Sequence, residues 1–215
     1  MDRSRVAIVI PALNEASTIG HVVHLAGVHG VPWVVDDGSV DATAQIARDA
    51  GAIVVSHSQT QGYDQALNTG FAAAYSKGCD FFVTLDADGQ HDPELLPHML
   101  QLLEDGADVV IGVRSHFARL AEYIFAYLSR VRYGISDPLC GLKAYRASVY
   151  VARGHFDQHG SIGTELALFA AARGMNVEQM KFEVKGRADN TPRFGRIWSA
   201  NLRILRALAL SIVQT

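Results

Sequence analysis

The sequence predicts an α/β fold of doubly wound type, a mostly parallel central sheet with helices on both faces. Three observations point there. Short, continuously apolar runs recur at "RVAIVIP" (5–11), "VPWVVDD" (31–37), "AIVVS" (52–56), "DFFVTLD" (80–86) and "DVVIGVR" (108–114). Strands without polar alternation are buried on both sides, the condition of a parallel strand under helices. Helix-like segments fall between them, at roughly 15–28, 41–50, 63–77 and 93–104, and strands alternating with helices build βαβ units. Finally, Gly51, Gly78 and Gly106 each follow a helical segment, where a left-handed residue closes the last turn.

After Arg114 the rhythm changes. Residues 117–132 read as a helix, "GLKAYR" (141–146) as a strand and 163–173 as a helix. "KGRADNTPRFG" (185–195) reads as a polar loop, and 196–215 as an amphipathic helix. Without repeats or a linker, the expectation is one domain over 1–215, its second half decorating the open end of the sheet.

Composition narrows the function classes. The chain has 215 residues, 49% of them hydrophobic and 19% charged, with a formal net charge of −3. That charge argues against sequence-independent nucleic-acid binding, which needs a basic face. Cys79 and Cys140 cannot form a disulfide framework and read as reduced thiols. The N-terminal apolar stretch is too short for a signal segment, and no run approaches the roughly 20 apolar residues of a membrane span. A cytoplasmic address follows as the expectation.

The acidic residues are concentrated where ligands bind. In open α/β sheets that place is beyond the carboxyl ends of the strands. Asp36, Asp37, Asp86 and Asp88 lie at such ends, and Glu15 lies just after the first strand. Carboxylates converging on one rim are costly unless a cation or hydrogen-bond donors neutralise them. Asp92 is explained by its helix: in "DPE" it is the N-cap, with Pro93 at the first helical position. Asp86 and Asp88 have no such role; a pure turn reading stays open, since Asp and Gly are the usual turn formers, and in the ligand reading Gln90 could add a neutral oxygen. Few, hard oxygen ligands are how Mg²⁺ or Mn²⁺ is held when substrate phosphates complete the shell. An EF-hand reading fails, since the twelfth position from Asp86 is Pro97.

In "VVDDGSVDAT" (34–43), Asp41 reads as turn and cap, while Asp36 and Asp37 are placed to meet a ribose or a base edge. The glycine opening "GYDQALNTGF" (62–71) exposes helix amides, for which phosphate binding and plain capping are both open readings. Arg114, Lys143, Arg146, Arg187, Arg193 and Arg196 are the later cations, and those of the 185–196 loop either cover a pyrophosphate or remain solvated. There is no G-x-G-x-x-G after the first strand, no Walker A, no H-E-x-x-H and no G-x-S-x-G. Dinucleotide oxidoreductases, P-loop phosphotransferases, zinc peptidases and serine hydrolases are therefore disfavoured.

Taken in order, "IPALNE" (10–15), "VVDDGSVDAT" (34–43), "GYDQALNTGF" (62–71), "LDADGQHDP" (85–93), "GVR" (112–114), "DPLCGLKAYR" (137–146), "GTE" (163–165) and "PRFG" (192–195) resemble family 2 glycosyltransferases of GT-A fold. The polyprenyl-phosphate sugar transferases, typified by dolichyl-phosphate mannosyltransferase, are the nearest type. The resemblance implies a nucleotide-sugar-binding half at 1–114, an acceptor and loop half at 115–195, and a C-terminal amphipathic helix at 196–215. It implies that Pro11, Glu15, Asp36, Asp37 and Asp86 bind the nucleotide, and that Asp86, Asp88 and Gln90 meet an Mg²⁺ or Mn²⁺ bridging the donor diphosphate. It places Arg114 near the donor, Arg187 and Arg193 in a loop over the pyrophosphate, and Glu165 where hydroxyl-acceptor members have a general base.

The expected reaction is transfer of a sugar from a GDP- or UDP-sugar, with inversion, to a polyprenyl phosphate or a glycan hydroxyl in cell-envelope synthesis. A hydroxyl acceptor would need a base, whereas a lipid phosphate is already an anion. Rival readings are a sugar nucleotidyltransferase, for which "PALNEAST" lacks the Gly-rich basic loop, and a non-catalytic nucleotide-sugar-binding module. In the last helix, Arg196, Arg203 and Arg206 interrupt the apolar run. Packing on the domain or on a second copy is the preferred reading there, and contact with the inner face of the cell membrane the alternative.

Overall fold

A computed structural model describes residues 1–183 together with 201, 204 and 206–208. The five apolar runs become β1 (Val6–Ala12), β2 (Val31–Asp36), β3 (Ile53–Ser56), β4 (Phe81–Thr84) and β5 (Val109–Arg114). Between them run α1 (Ile19–Ala26), α2 (Thr43–Asp49), α3 (Tyr63–Ser76) and α4 (Leu96–Glu104). Gly51, Gly78 and Gly106 all adopt positive φ just beyond α2, α3 and α4, as the closing position requires. Asp92 caps a short 3₁₀ turn ahead of α4, accepting the Glu94 amide at 3.2 Å. The first helix starts later than its pattern implies, because Asn14 takes a left-handed φ of 54° and Glu15–Thr18 form a turn.

The second half also contains α5 (Leu120–Tyr133), β6 (Lys143–Arg146), α6 (Ala147–Arg153), α7 (Glu165–Ala172) and β7 (Val177–Phe182). The sheet has seven strands in the order β3-β2-β1-β4-β6-β5-β7. Strand β6 is antiparallel to both β4 and β5, and the other pairings are parallel. The expectation that the second half only decorates the sheet is thus corrected. Ala144 of β6 pairs with Val83 on one side and Val110 on the other, so the strand is wedged into the middle, with Lys143, Ala144 and Tyr145 buried.

Both sides of the sheet are covered, as its apolar strands require. One side carries an aromatic cluster in which Phe71 stacks on Phe82 at 4.8 Å and meets Phe156 at 4.6 Å. The other packs Ile8, Ile10, Ile19, Leu96 and Met99. Each such buried side chain contributes about 1.5–3 kcal/mol.

Ile204, Ala207 and Leu208 lie buried in the first of these cores while Arg206 is exposed. At these positions the final segment packs on its own chain, the preferred of its two sequence readings. The remaining calls on that segment, Arg196 and Arg203, lie outside the described residues. No helix among the described residues is long and apolar enough to cross a membrane.

Candidate active site

The register of the sheet assembles the acidic rim. Ala12 pairs with Asp36, so the chain leaves β1 and β2 side by side, and the Asp37 amide donates to Ala12 O at 2.9 Å. The loops that follow are fastened to each other. Asn14 Oδ1 accepts the Val40 amide and the Asn14 amide donates to Ser39 Oγ, both at 2.9 Å. The Glu15 amide donates to Thr43 Oγ1 at 2.8 Å, and Asp41 accepts the Thr43 amide at 3.0 Å, the turn role expected of it, while the cap position of α2 falls to Ala42. Pro11, Glu15, Asp36 and Asp37 are all buried here, in one neighbourhood.

Within that neighbourhood the two adjacent aspartates differ. Asp36 accepts the Ser39 amide at 3.1 Å. Asp37 is occupied on both oxygens: Gln61 and His57 approach Oδ1 at 2.8 and 2.7 Å, and the Gly62 amide donates to Oδ2 at 2.8 Å. Its carboxylate therefore orders the 57–62 loop and the start of α3. The pocket role that the resemblance implies for Asp37 would be served through this loop.

The third part of the rim follows β4, which ends at Thr84, so Asp86 stands in a turn and not on the strand. Asp86 is 30% exposed at its side chain, with His91 Nδ1 at 3.5 Å from Oδ2 and the Tyr63 hydroxyl donating to Oδ1 at 3.2 Å. Tyr63 directly follows Gly62, so α3 links the Asp37 loop to Asp86. Asp88 accepts the Gln90 amide at 3.0 Å, which brings Gln90 onto the same turn. Behind Asp86 lies Gly141, where an added β-carbon would stand 2.2 Å from Oδ2. Thr84 fixes that peptide, its hydroxyl donating to Gly141 O at 2.6 Å.

Lys143, at the start of β6, is buried and donates from Nζ to Cys140 O at 2.6 Å and Gly163 O at 3.0 Å. Burial lowers its pKa, while Cys140, Asp137 and Asp86 pull it upward. Gly163 in turn donates its amide to Asp64 at 2.6 Å and sits two residues before Glu165. Burial and the Asp157 carboxylate raise Asp64 to about 6.

Glu165 is buried and meets four donors. Arg153 Nη2 and His155 Nε2 lie 2.6 and 2.7 Å from Oε1, and the Gln158 amide and His159 Nδ1 each 3.0 Å from Oε2. Burial favours its neutral form, but Arg153, Gln158, His159 and His155 outweigh that and bring the carboxyl to about 2. A carboxylate so held is a very weak base.

Arg114 is likewise committed. Its Nε and Nη2 make a bidentate pair with Asp137 at 2.8 and 2.9 Å, and Nη1 lies 3.2 Å from Glu122 Oε2. Arg187 and Arg193 lie outside the described residues.

A divalent cation, which the resemblance implies, can be tested against these donors. Asp86 and Asp88, with Gln90, supply oxygens from one short turn. Among the described residues no group of three His, Cys, Asp or Glu forms a self-sufficient cage. This set fits a hard cation that keeps much of its shell for phosphate and water, not a structural ion enclosed by protein.

Sequence reasoning missed Tyr63, His91, Gly141 and the Arg153–His155–His159 cluster as parts of this arrangement. Tyr63 and Gly141 reach Asp86 across long gaps in the chain, while His91 and the Glu165 cluster act over short ones through loop turns that carry no spacing signal.

Comparison with known proteins gives this arrangement a family. Residues 7–123 match the sequence profile "Glycosyl transferase family 2". The chain belongs to that family. It is therefore an enzyme of the glycosyltransferase class. A relative from Haloferax volcanii, described as a dolichyl-phosphate hexose transferase, is 31% identical over 86% of this chain and 85% of its own. Another, from Pectobacterium carotovorum, is described as an undecaprenyl-phosphate 4-deoxy-4-formamido-L-arabinose transferase. It is 30% identical over 85% of this chain, which spans 61% of that longer protein. Among solved structures, glucosyl-3-phosphoglycerate synthase from Mycobacterium tuberculosis, crystallised with Mn²⁺ and UDP-glucose, superposes with a TM-score of 0.78 at 23% identity. The match covers 98% of this family 2 chain and 79% of that one, and its fold is the GT-A arrangement.

Proposed function

We propose that this family 2 enzyme transfers a sugar from a nucleotide diphosphate donor to a polyprenyl phosphate, with inversion at the anomeric carbon. The observation that carries the choice of acceptor is Glu165. Held by four donors with its carboxyl near 2, it is ill suited to take a proton from an acceptor hydroxyl. A phosphate acceptor is already an anion and needs no base. The descriptions of the Haloferax and Pectobacterium relatives, both polyprenyl-phosphate transferases, support the same acceptor.

In this reading the rim formed by Pro11, Glu15, Asp36 and the Asp37-ordered loop receives the nucleoside. Asp86, Asp88 and Gln90 would hold Mg²⁺ or Mn²⁺, which supplies positive charge to the departing diphosphate. Tyr63 and Gly141 fix the direction of Asp86. Buried Lys143 lends a cation to the same region, and Arg187 and Arg193 would close over the pyrophosphate. An acceptor phosphate oxygen forms its bond to the anomeric carbon as the bond to the diphosphate breaks, and the nucleoside diphosphate leaves. Arg114, tied to Asp137 and Glu122, positions the β5 end and is not itself free to approach a phosphate.

The test is incubation with labelled GDP- and UDP-sugars, Mn²⁺ and a polyprenyl phosphate. Release of nucleoside diphosphate with label in the lipid phase supports the proposal. Release of pyrophosphate would establish a nucleotidyltransferase, and binding without turnover a non-catalytic module. A thermal-shift screen of GDP and UDP identifies the donor, because a ligand that binds only the folded state raises its apparent stability.

A further inference from the structure

Helix α5 shows an apolar face to solvent. Its inner side carries Ala121, Phe125 and Ala126, all buried. Its outer side carries Leu120, Tyr123, Ile124, Tyr127, Leu128 and Val131, each between 38% and 74% exposed. Their spacing of three and four residues places all six on one stripe. On most helices such a stripe is the side that packs; here a second one points outward, and although Phe117 meets the Tyr123 ring edge-on at 4.9 Å, all six of its residues stay exposed.

The edges of the stripe are basic. At 3.6 residues per turn, Arg130 falls along one border and Arg132 along the other, and both are exposed. Arg119 stands at the start of the helix on the Arg130 side. The helix has one acid, Glu122, which is buried and faces Arg114 and Arg119 at 3.2 Å each. The outward face therefore offers apolar and aromatic groups between Arg130 on one border and Arg132, whose Nε donates to the Tyr133 hydroxyl at 2.8 Å, on the other, with no exposed carboxylate of its own.

The helix is also placed at the rim. The Arg114 guanidinium, at the carboxyl end of β5, reaches Glu122 in the first turn of α5 and Asp137 just after the helix. From Asp137 the chain runs directly to Cys140 and Gly141, against which Asp86 packs.

We propose that α5 seats the enzyme on an anionic membrane surface. Leu120, Tyr127 and Val131 enter the boundary between headgroups and acyl chains, while Arg130 and Arg132 extend to the lipid phosphates on either side. The purpose assigned to this contact, bringing the rim to a lipid-borne acceptor, rests on the transfer reading above; the contact itself rests on the exposed stripe and its charges. A second copy of the chain is the poorer occupant. Two-fold pairing through α5 would bring Arg130 and Arg132 of both copies into one interface with no exposed acid on the helix to answer them.

The experiment is co-sedimentation of the full chain with vesicles of phosphatidylcholine, with and without phosphatidylglycerol. Tyr127→Glu/Val131→Glu and Arg130→Glu/Arg132→Glu are compared with the parent, and melting temperature and nucleotide-induced thermal shift are recorded for each. The parent should bind the anionic vesicles, and each pair of substitutions should weaken binding about tenfold or more with melting and nucleotide response unchanged. Three results overturn the proposal: no binding by the parent, equal binding by the variants, or a marked fall in melting temperature for Tyr127→Glu/Val131→Glu, which would show that the chain itself covers the stripe. A concentration-dependent dimer in sedimentation velocity that the same variants dissociate would assign the face to a second copy and also overturn it. Retained vesicle binding without sugar transfer would sink the transfer reading alone, and lost binding with full transfer to a short, water-soluble polyprenyl phosphate would leave that reading standing.

Discussion

Gly141 sits so close behind Asp86 that a β-carbon at that position would stand 2.2 Å from the carboxylate oxygen. The obstacle is the carboxylate that the proposed function assigns to the cation, and it stands between Tyr63 and His91, so relief must come from moving Asp86. Gly141→Ala should lower transfer by about tenfold or more and weaken Mn²⁺-dependent nucleotide binding, since displacements of this size misplace reacting groups. Calorimetric titration with UDP or GDP and Mn²⁺ reads the binding, and circular dichroism checks the fold. Unchanged metal dependence would remove Asp86 from the cation's surroundings.

Asp88→Asn tests the same turn with little change of shape. The amide oxygen can still accept the Gln90 amide, which Asp88 now takes at 3.0 Å. The lost charge should cost about 100-fold or more in transfer while the melting temperature stays level or rises slightly, because a like charge beside Asp86 is relieved. Full activity in Asp88→Asn would overturn the placement of the cation.

The first half of the fold was legible because its strands declare themselves locally. "VAIVI" is apolar throughout and must be covered on both sides, and α2, α3 and α4 are each followed by a glycine that takes positive φ. The second half was less so. In β7, "VEQMKF", Met180 and Phe182 face inward while Glu178, Gln179 and Lys181 are exposed, so an edge strand hides in a polar sequence. Helix α6 follows β6 with no break, and its Val149 and Val151 blur the helical signal. At the site, the order of motifs indicated Asp86, Asp88 and Glu165, but not what holds them. The donors to Glu165 come from Arg153, His155, Gln158 and His159, and which of them reach it depends on the turn of the chain between α6 and α7, which no spacing rule specifies.

The Arg114–Asp137 pair is expected to be a stability element. Asp137 is buried at 1% exposure and accepts the Arg114 backbone amide as well as two guanidinium hydrogens. Asp137→Ala leaves that amide and much of the guanidinium without an acceptor, a loss of about 3–5 kcal/mol on the scale of broken buried pairs. Urea denaturation should show the midpoint fall with little change in slope. A loss under about 1 kcal/mol would mean that Glu122 or solvent takes over the guanidinium.

Glu165 gives a prediction with a definite pH window. Its carboxyl is held at about 2 when folded against a usual value of 4.5. A depressed carboxyl stabilises the fold fully above the unfolded value, and that stabilisation is lost as pH falls from about 4.5 towards 2. The contribution is on the order of 2 kcal/mol once solvent at the rim is allowed for. Melting of the parent and Glu165→Gln should therefore differ by a constant amount above pH ~5 and converge below it. Turnover on a polyprenyl phosphate, measured well below the variant's melting point, should fall only modestly. A loss of about 100-fold or more at unchanged fold is the size expected of a removed general base, and would move the acceptor from a phosphate to a hydroxyl.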